Sequence, residues 1–151
     1  MKKGMFMLMI AALLTIGIYQ WFNQRNVHII DIHRNAYTAE ILVDHLPLTE
    51  ADSIEWWIKN KRDILTKYNI PERQAGGPDY ITFYAYGEGY QEEGTADRLC
   101  FDDIKPPKNC IDKDILMTIS HNRNGEVRFS FSESIYIETK NGEIKKMAKA
   151  P

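Results

Sequence analysis

The chain has 151 residues, 44% of them hydrophobic and 26% charged, which is enough for one folded domain and one further element. All 21 Asp and Glu lie after residue 30, and setting Lys2 and Lys3 aside leaves 17 basic residues, a net charge of −4. That balance argues against nucleic acid as a partner, because phosphate binding takes a basic patch, and it favours cationic partners.

The apolar residues are concentrated at the start. Residues 5–19 read MFMLMIAALLTIGIY, without a charge. Counted from Met5 to Phe22 the run is 18 residues, or about 27 Å as a helix, just enough to span a bilayer core. It is apolar all round, unlike a surface helix of a soluble domain. Tyr19, Trp21 and Phe22 sit where an interfacial aromatic belt falls. Thr15-Ile16-Gly17 is a poor cleavage site, and no cysteine follows for lipid attachment. The expectation is therefore an uncleaved signal-anchor at residues 1–22 that meets the lipid bilayer through residues 5–22, with cleavage as the alternative. Lys2 and Lys3 put the short N-terminus in the cytoplasm and the rest outside.

Residues 23–26, NQRN, read as a short linker, residues 27–147 as the folded domain and 148–151 as a flexible tail. Residues 27–33 and 38–46 read as strands of an antiparallel hairpin. The next segment is the clearest helix. Thr49 is its N-cap, with Asp52 three residues on. Ile54, Trp57, Ile58, Lys61, Ile64, Leu65 and Tyr68 share one face, with Lys61 laying its stem along it. Asn69 and Pro71 end it. Trp56 is expected to point away from the stripe.

Residues 80–86, YITFYAY, alternate strictly. Ile81, Phe83 and Ala85 are expected to face the core and Tyr80, Thr82, Tyr84 and Tyr86 to face out. A Gly-rich acidic loop carrying Tyr90 leads to a short strand, RLCF. Residues 115–121 and 126–132 flank NRNG. A three-residue loop, Arg123 to Gly125, pairs Ile119 with Phe129, Met117 with Phe131 and His121 with Val127, which gathers the apolar side chains on one face. A weaker hairpin over 135–147 closes the domain. The fold class is α+β: an N-terminal transmembrane helix, then a mainly antiparallel sheet with one amphipathic helix packed on one face.

Cys100 and Cys110 are the two cysteines. In an oxidising compartment they are expected to pair, stabilising the domain by about 3 kcal/mol through loop closure. Free thiols, or a metal or redox site, are the alternatives. Two cysteines fall short of the four ligands of structural zinc, and the spacing is not that of a redox Cys-x-x-Cys.

YGEGYQEEG, DRLCFDD and NCIDK, behind the N-terminal apolar run and a WW…NK…KYNIP helix, resemble the enterobacterial putative membrane protein family, domain of unknown function 943, over most of the chain. The resemblance implies a single-span envelope protein with an exported domain, and with the charge-based orientation the expectation is the bacterial inner membrane, with the domain in the periplasm. It transfers no activity and no site residue.

Catalytic motifs with useful specificity do not occur, so the chain is not expected to be an enzyme, and no cofactor or metal is expected. Asp31 and His33, two apart on one strand, form the one acid–base pair that would serve a hydrolase of an envelope substrate. Asp102, Asp103, Glu92 and Glu93 read as a solvated loop rather than a cation site. Trp56, Tyr84, Tyr86 and Tyr90 are an expected aromatic interaction surface. Two functions fit: a protein-binding module, of the immunity kind that neutralises an envelope-directed toxin, or a structural accessory subunit of an envelope complex.

Overall fold

The computed structural model describes residues 2–23 and 25–147; the tail expected at 148–151 lies outside them. Helix α1, Lys2–Asn23, is long and apolar enough to cross a membrane, at about 33 Å. None of its side chains up to Phe22 is buried against the domain. Arg25 places its guanidinium carbon 5.0 Å from the Phe22 ring centroid as the chain leaves the helix.

Strands β1 (Ile29–Arg34) and β2 (Thr38–Val43) form the expected antiparallel hairpin, with a bulge between Ile29 and Asp31. Helix α2, Glu50–Lys67, starts where its cap predicts: Thr49 Oγ1 accepts from the Asp52 amide at 3.1 Å. It ends as expected as well. Asn69 takes φ 53° and the Ile70 amide reaches back to the Leu65 carbonyl at 2.9 Å, a Schellman closure. Because an 18-residue helix separates β2 from β3 (Tyr80–Ala85), the chain returns to the same end of the sheet and β3 pairs with β2 in parallel. The other ladders are antiparallel.

Strands β7 (Ile115–His121) and β8 (Val127–Ser130) pair Ile119 with Phe129 and His121 with Val127, the register argued from the apolar side chains. Gly125 at φ 79° closes the turn, a conformation open to glycine without strain. Strands β9 (Ile135–Glu138) and β10 (Ile144–Met147) complete a seven-stranded sheet in the order β1-β2-β3-β7-β8-β9-β10.

Two strands lie in segments that read as loop: β4 (Gln91–Glu92) and β6 (Lys108–Asp112). They join β5 (Arg98–Cys100) in a separate small sheet, ordered β4-β6-β5. Both faces of the large sheet are therefore covered. On one, α2 packs Ile54, Trp57 and Ile64 onto Ile41, Val43, Phe83, Met117, Ile119 and Phe129. On the other, Leu42 meets Phe101 and Ile111 of the small sheet and its loops. The β2 sequence carries the signature of this: Ile41, Leu42 and Val43 are consecutive and all fully buried, which a strand needs only when both its faces are covered.

Candidate functional site

The second layer corrects the expected aromatic surface. Tyr84, Tyr86 and Tyr90 are partly buried around Leu42, Phe101 and Ile111. Tyr86 and Tyr90 meet edge to face at 5.5 Å. Strict alternation separates the two faces of β3 but says nothing about what covers the second. Trp56 is corrected too. It packs edge-on to Phe83 at 5.7 Å, beside Trp57 at 5.6 Å, and lines a cleft with Val27 and Ile29 of the segment that follows α1. That segment covers the side of α2 that the periodicity left open.

The small sheet rests on β1 through four polar residues. Asp31 and His33 stand two apart on β1 and face the small-sheet side, as their pairing with Leu42 and Glu40 requires. Tyr90 comes from the loop between β3 and β4, and Asp103 from the turn after β5. The His33 side chain is 5% exposed, and its ring stacks on Phe101 with centroids 3.8 Å apart. Its Nδ1 lies 2.8 and 2.7 Å from the two carboxylate oxygens of Asp103. Its Nε2 lies 2.7 Å from the Tyr90 hydroxyl and 3.4 Å from Asp31 Oδ2. The Tyr90 hydroxyl in turn donates to Asp31 Oδ2 at 2.6 Å.

The proton positions follow from this connectivity. An ionised carboxylate only accepts, so His33 Nδ1 carries a hydrogen for Asp103. Tyr90 spends its single hydrogen on Asp31, and its oxygen faces His33 Nε2. Tyr90 is held neutral: burial first, then its bond to Asp31, then the charges of Asp31 and Asp103 push its ionisation well above the usual phenol range. The Asp31 side chain is 45% exposed and that of Asp103 62%, so both anions keep contact with water. Asp31 Oδ1 also accepts from the Ile32 amide at 2.9 Å.

Asp31 and His33, expected as a pair, are thus brought together. They belong to a four-residue clamp in which Tyr90 and Asp103 were not expected. Asp103 turns to His33 rather than joining its acidic neighbours. No sequence spacing links positions 33, 90 and 103; the one signal available was a histidine inside an Ile-rich strand. Cys100 and Cys110 face each other across the β5–β6 ladder with sulfurs 2.06 Å apart, at disulfide distance. The turn between them contains a cis Pro106–Pro107 bond.

A second His–Asp cluster lies where the chain enters the sheet. Asp44 accepts from the His28 amide at 2.9 Å and the His45 amide at 2.7 Å, and its other oxygen lies 2.8 Å from His28 Nδ1. Burial alone would raise the Asp44 pKa. The bonds from His28, then the His45 amide and the His45 charge, outweigh it and hold Asp44 at about 2.

Among the described residues, one apolar helix of membrane-spanning length precedes a mainly antiparallel sheet with a packed helix, an α+β domain behind one candidate membrane helix. The chain belongs to the enterobacterial putative membrane protein family, domain of unknown function 943, whose model matches residues 1–148. No curated protein and no solved structure matches it.

Proposed function

We propose that the chain is a non-enzymatic protein-binding module. In this reading α1 is a signal-anchor in the inner membrane with its N-terminus in the cytoplasm. The domain stands in the periplasm and captures a protein partner there, in the manner of an immunity protein neutralising an envelope-directed toxin. The observation that carries the location is the presence, in one chain, of an apolar helix with nothing buried against the domain and a cysteine pair at disulfide distance. Cytoplasmic thiols are kept reduced.

The surface that supports capture is not the one read from the sequence. Tyr37 and Tyr80 are 70% and 52% exposed, and the Tyr80 amide donates to the Tyr37 carbonyl at 3.2 Å. Two exposed tyrosines on adjoining backbone suit a protein interface. The hydrolase reading draws no support from Asp31 and His33, because both ring nitrogens of His33 are engaged within the clamp.

Alkylation of intact cells with an impermeant maleimide, with and without reductant, tests the location. Labelling of Cys100 and Cys110 only after reduction is expected; two free thiols shielded from the reagent would overturn it. Crosslinking and pull-down from envelope extracts test capture. Loss of the recovered partner on Tyr37→Ala with Tyr80→Ala is expected, and recovery of nothing above an anchor-only control would count against it. The second reading, an accessory subunit assembling within the membrane, has its support in the exposed length of α1. Replacing residues 5–22 with an unrelated anchor separates the two: capture by the domain survives, in-membrane assembly does not.

A further inference from the structure

The seven-stranded sheet has two ends, and the register sorts its residues between them. Ile29 pairs with Val43, Val43 with Ala85, and Tyr84 with Ile115. With the turn from Asp44 to Thr49, these residues form the end at which the chain enters from α1. Thr38 pairs with Tyr80, and His121 with Val127, at the far end, about 20 Å away along β7.

The two ends expose different side chains. The far end shows Tyr37 and Tyr80, with Ile144 on the edge strand β10. The entry end shows Leu48 at 54% exposure and Ile115 at 51%. Leu48 lines a cleft there with Leu46, Pro47, Leu116 and Phe131, so the two exposed side chains belong to one apolar region. The polar side chains around that cleft are bonded within the domain. Asp44 accepts from the His28 and His45 amides, and Thr49 accepts from the Asp52 amide. Ser53 donates to the Pro47 carbonyl at 3.1 Å, and Glu50 accepts from the Tyr136 hydroxyl at 3.1 Å. Apolar surface whose polar neighbours already have partners leaves water at small cost.

The link to α1 decides what this end can meet. Val27 packs on the α2 core, and the Asp44 amide donates to the His28 carbonyl at 3.1 Å. Only residues 24–26 remain between α1 and the packed chain, about 11 Å when extended. The far end cannot turn to the membrane without drawing that link along about 20 Å of sheet. The charges narrow the partner further. Asp44, Glu50, Asp114 and Glu133 stand in the segments of the entry end, and Lys113 is taken by Asp97 at 2.8 Å. An anionic lipid surface attracts basic clusters, so the match here is a zwitterionic one.

We propose that the entry end is a lipid-contact surface. With α1 across the bilayer, the reading on which this rests, Leu48 and Ile115 enter the zwitterionic interfacial layer of that same bilayer. The short link gives the contact an effective concentration of the order of mM, so a contact too weak to hold a free domain is enough to orient this one. The end that carries Tyr37 and Tyr80 is then turned away from the lipid and open to a protein partner.

The test uses the full chain, with isotope-labelled Ile and Leu methyl groups, in phosphatidylcholine nanodiscs. A small share of the lipid is spin-labelled at the top of its acyl chains. Paramagnetic broadening at Leu48 and Ile115 is expected to exceed that at Ile144 at least about tenfold, given about 20 Å of sheet between the two ends. Ile16 and Ile18 of α1 report the anchor separately. Broadening at α1 without the contrast between the ends would overturn the proposal and leave the anchor standing. No broadening at α1 would remove the anchor and the proposal with it. Leu48→Ser with Ile115→Ser should cut the broadening at Leu46 and Leu116 severalfold; undiminished broadening there would overturn the proposal. Both positions are exposed, and unchanged signals of the buried Ile41 and Ile119 verify the fold. Adding phosphatidylglycerol should leave the contrast no larger. A contrast that appears only with the anionic lipid would assign the contact to charge and overturn the proposal.

Discussion

The two faces of the seven-stranded sheet are closed by different physics. The α2 face is a continuous apolar layer in which Phe83 touches both Trp56 and Trp57. The opposite face has a smaller apolar cluster, Leu42, Phe101 and Ile111, and relies on the covalent link in the small sheet and on the Asp31–His33–Tyr90–Asp103 clamp. A helix can cover a sheet by hydrophobic burial alone because one stripe buries many side chains. A three-stranded flap with strands of two, three and five residues buries too little for that, since isolated short strands are marginal in water. The lesson is that a small layer is held by specific links where a large one is held by area.

Breaking the large layer should have the largest effect. Phe83→Ala removes the ring at the centre of the α2 face and is expected to cost about 3–5 kcal/mol, measured by denaturant unfolding of the full chain in detergent micelles. On the other face, replacing Cys100 and Cys110 together with serine should cost about 3 kcal/mol, the loop-closure value for this spacing. The loss of hydrogen-exchange protection should centre on β5 and β6 and leave α2 protected. If α2 loses protection equally, the two layers are not separable. His33→Ala should cost about 2 kcal/mol, because it removes the hydrogen bonds to Asp103 and Tyr90 and the stacking on Phe101. Tyr90→Phe, which removes one hydroxyl from the same clamp, should cost about 1 kcal/mol.

The smallest effect belongs to Asp44, outside both layers. Its folded value of about 2 lies below the ordinary aspartate value of 3.8, so the unfolded chain binds the proton more tightly. The stability it contributes is fully present above about pH 4 and is lost as the pH falls through 2. Asp44→Asn should flatten the acid limb of the unfolding profile between those values and leave the profile at pH 7 with the same slope. An acid limb as steep as that of the parent chain would assign the acid sensitivity to other carboxylates.

The α2 face was largely legible in the sequence. The helix limits follow from Thr49 and Asn69, its stripe from the 3.6-residue period, and the β7–β8 register from the requirement that Ile119 and Phe129 share a face. Each of these signals is local. The second face was not legible, because its strands are too short and too polar to show a period, and because its contacts join residues about 60 and 70 positions apart, as in Tyr90 with Asp31 and Asp103 with His33. The tyrosines of β3 and its following loop were misplaced for the same reason: alternation assigns a side, and only the small sheet decides whether that side is wet. Trp56 was misplaced because the period of α2 alone does not show that Val27 and Ile29, at the entry to β1, pack beside it.

Between α1 and β1 lie only residues 24–28. Even fully extended, five residues reach less than about 20 Å. With α1 in a bilayer, the domain is on a short leash: it samples a thin shell of space above the membrane and nothing farther out. In the reading proposed above, this tether keeps any partner that the domain captures close to the lipid surface.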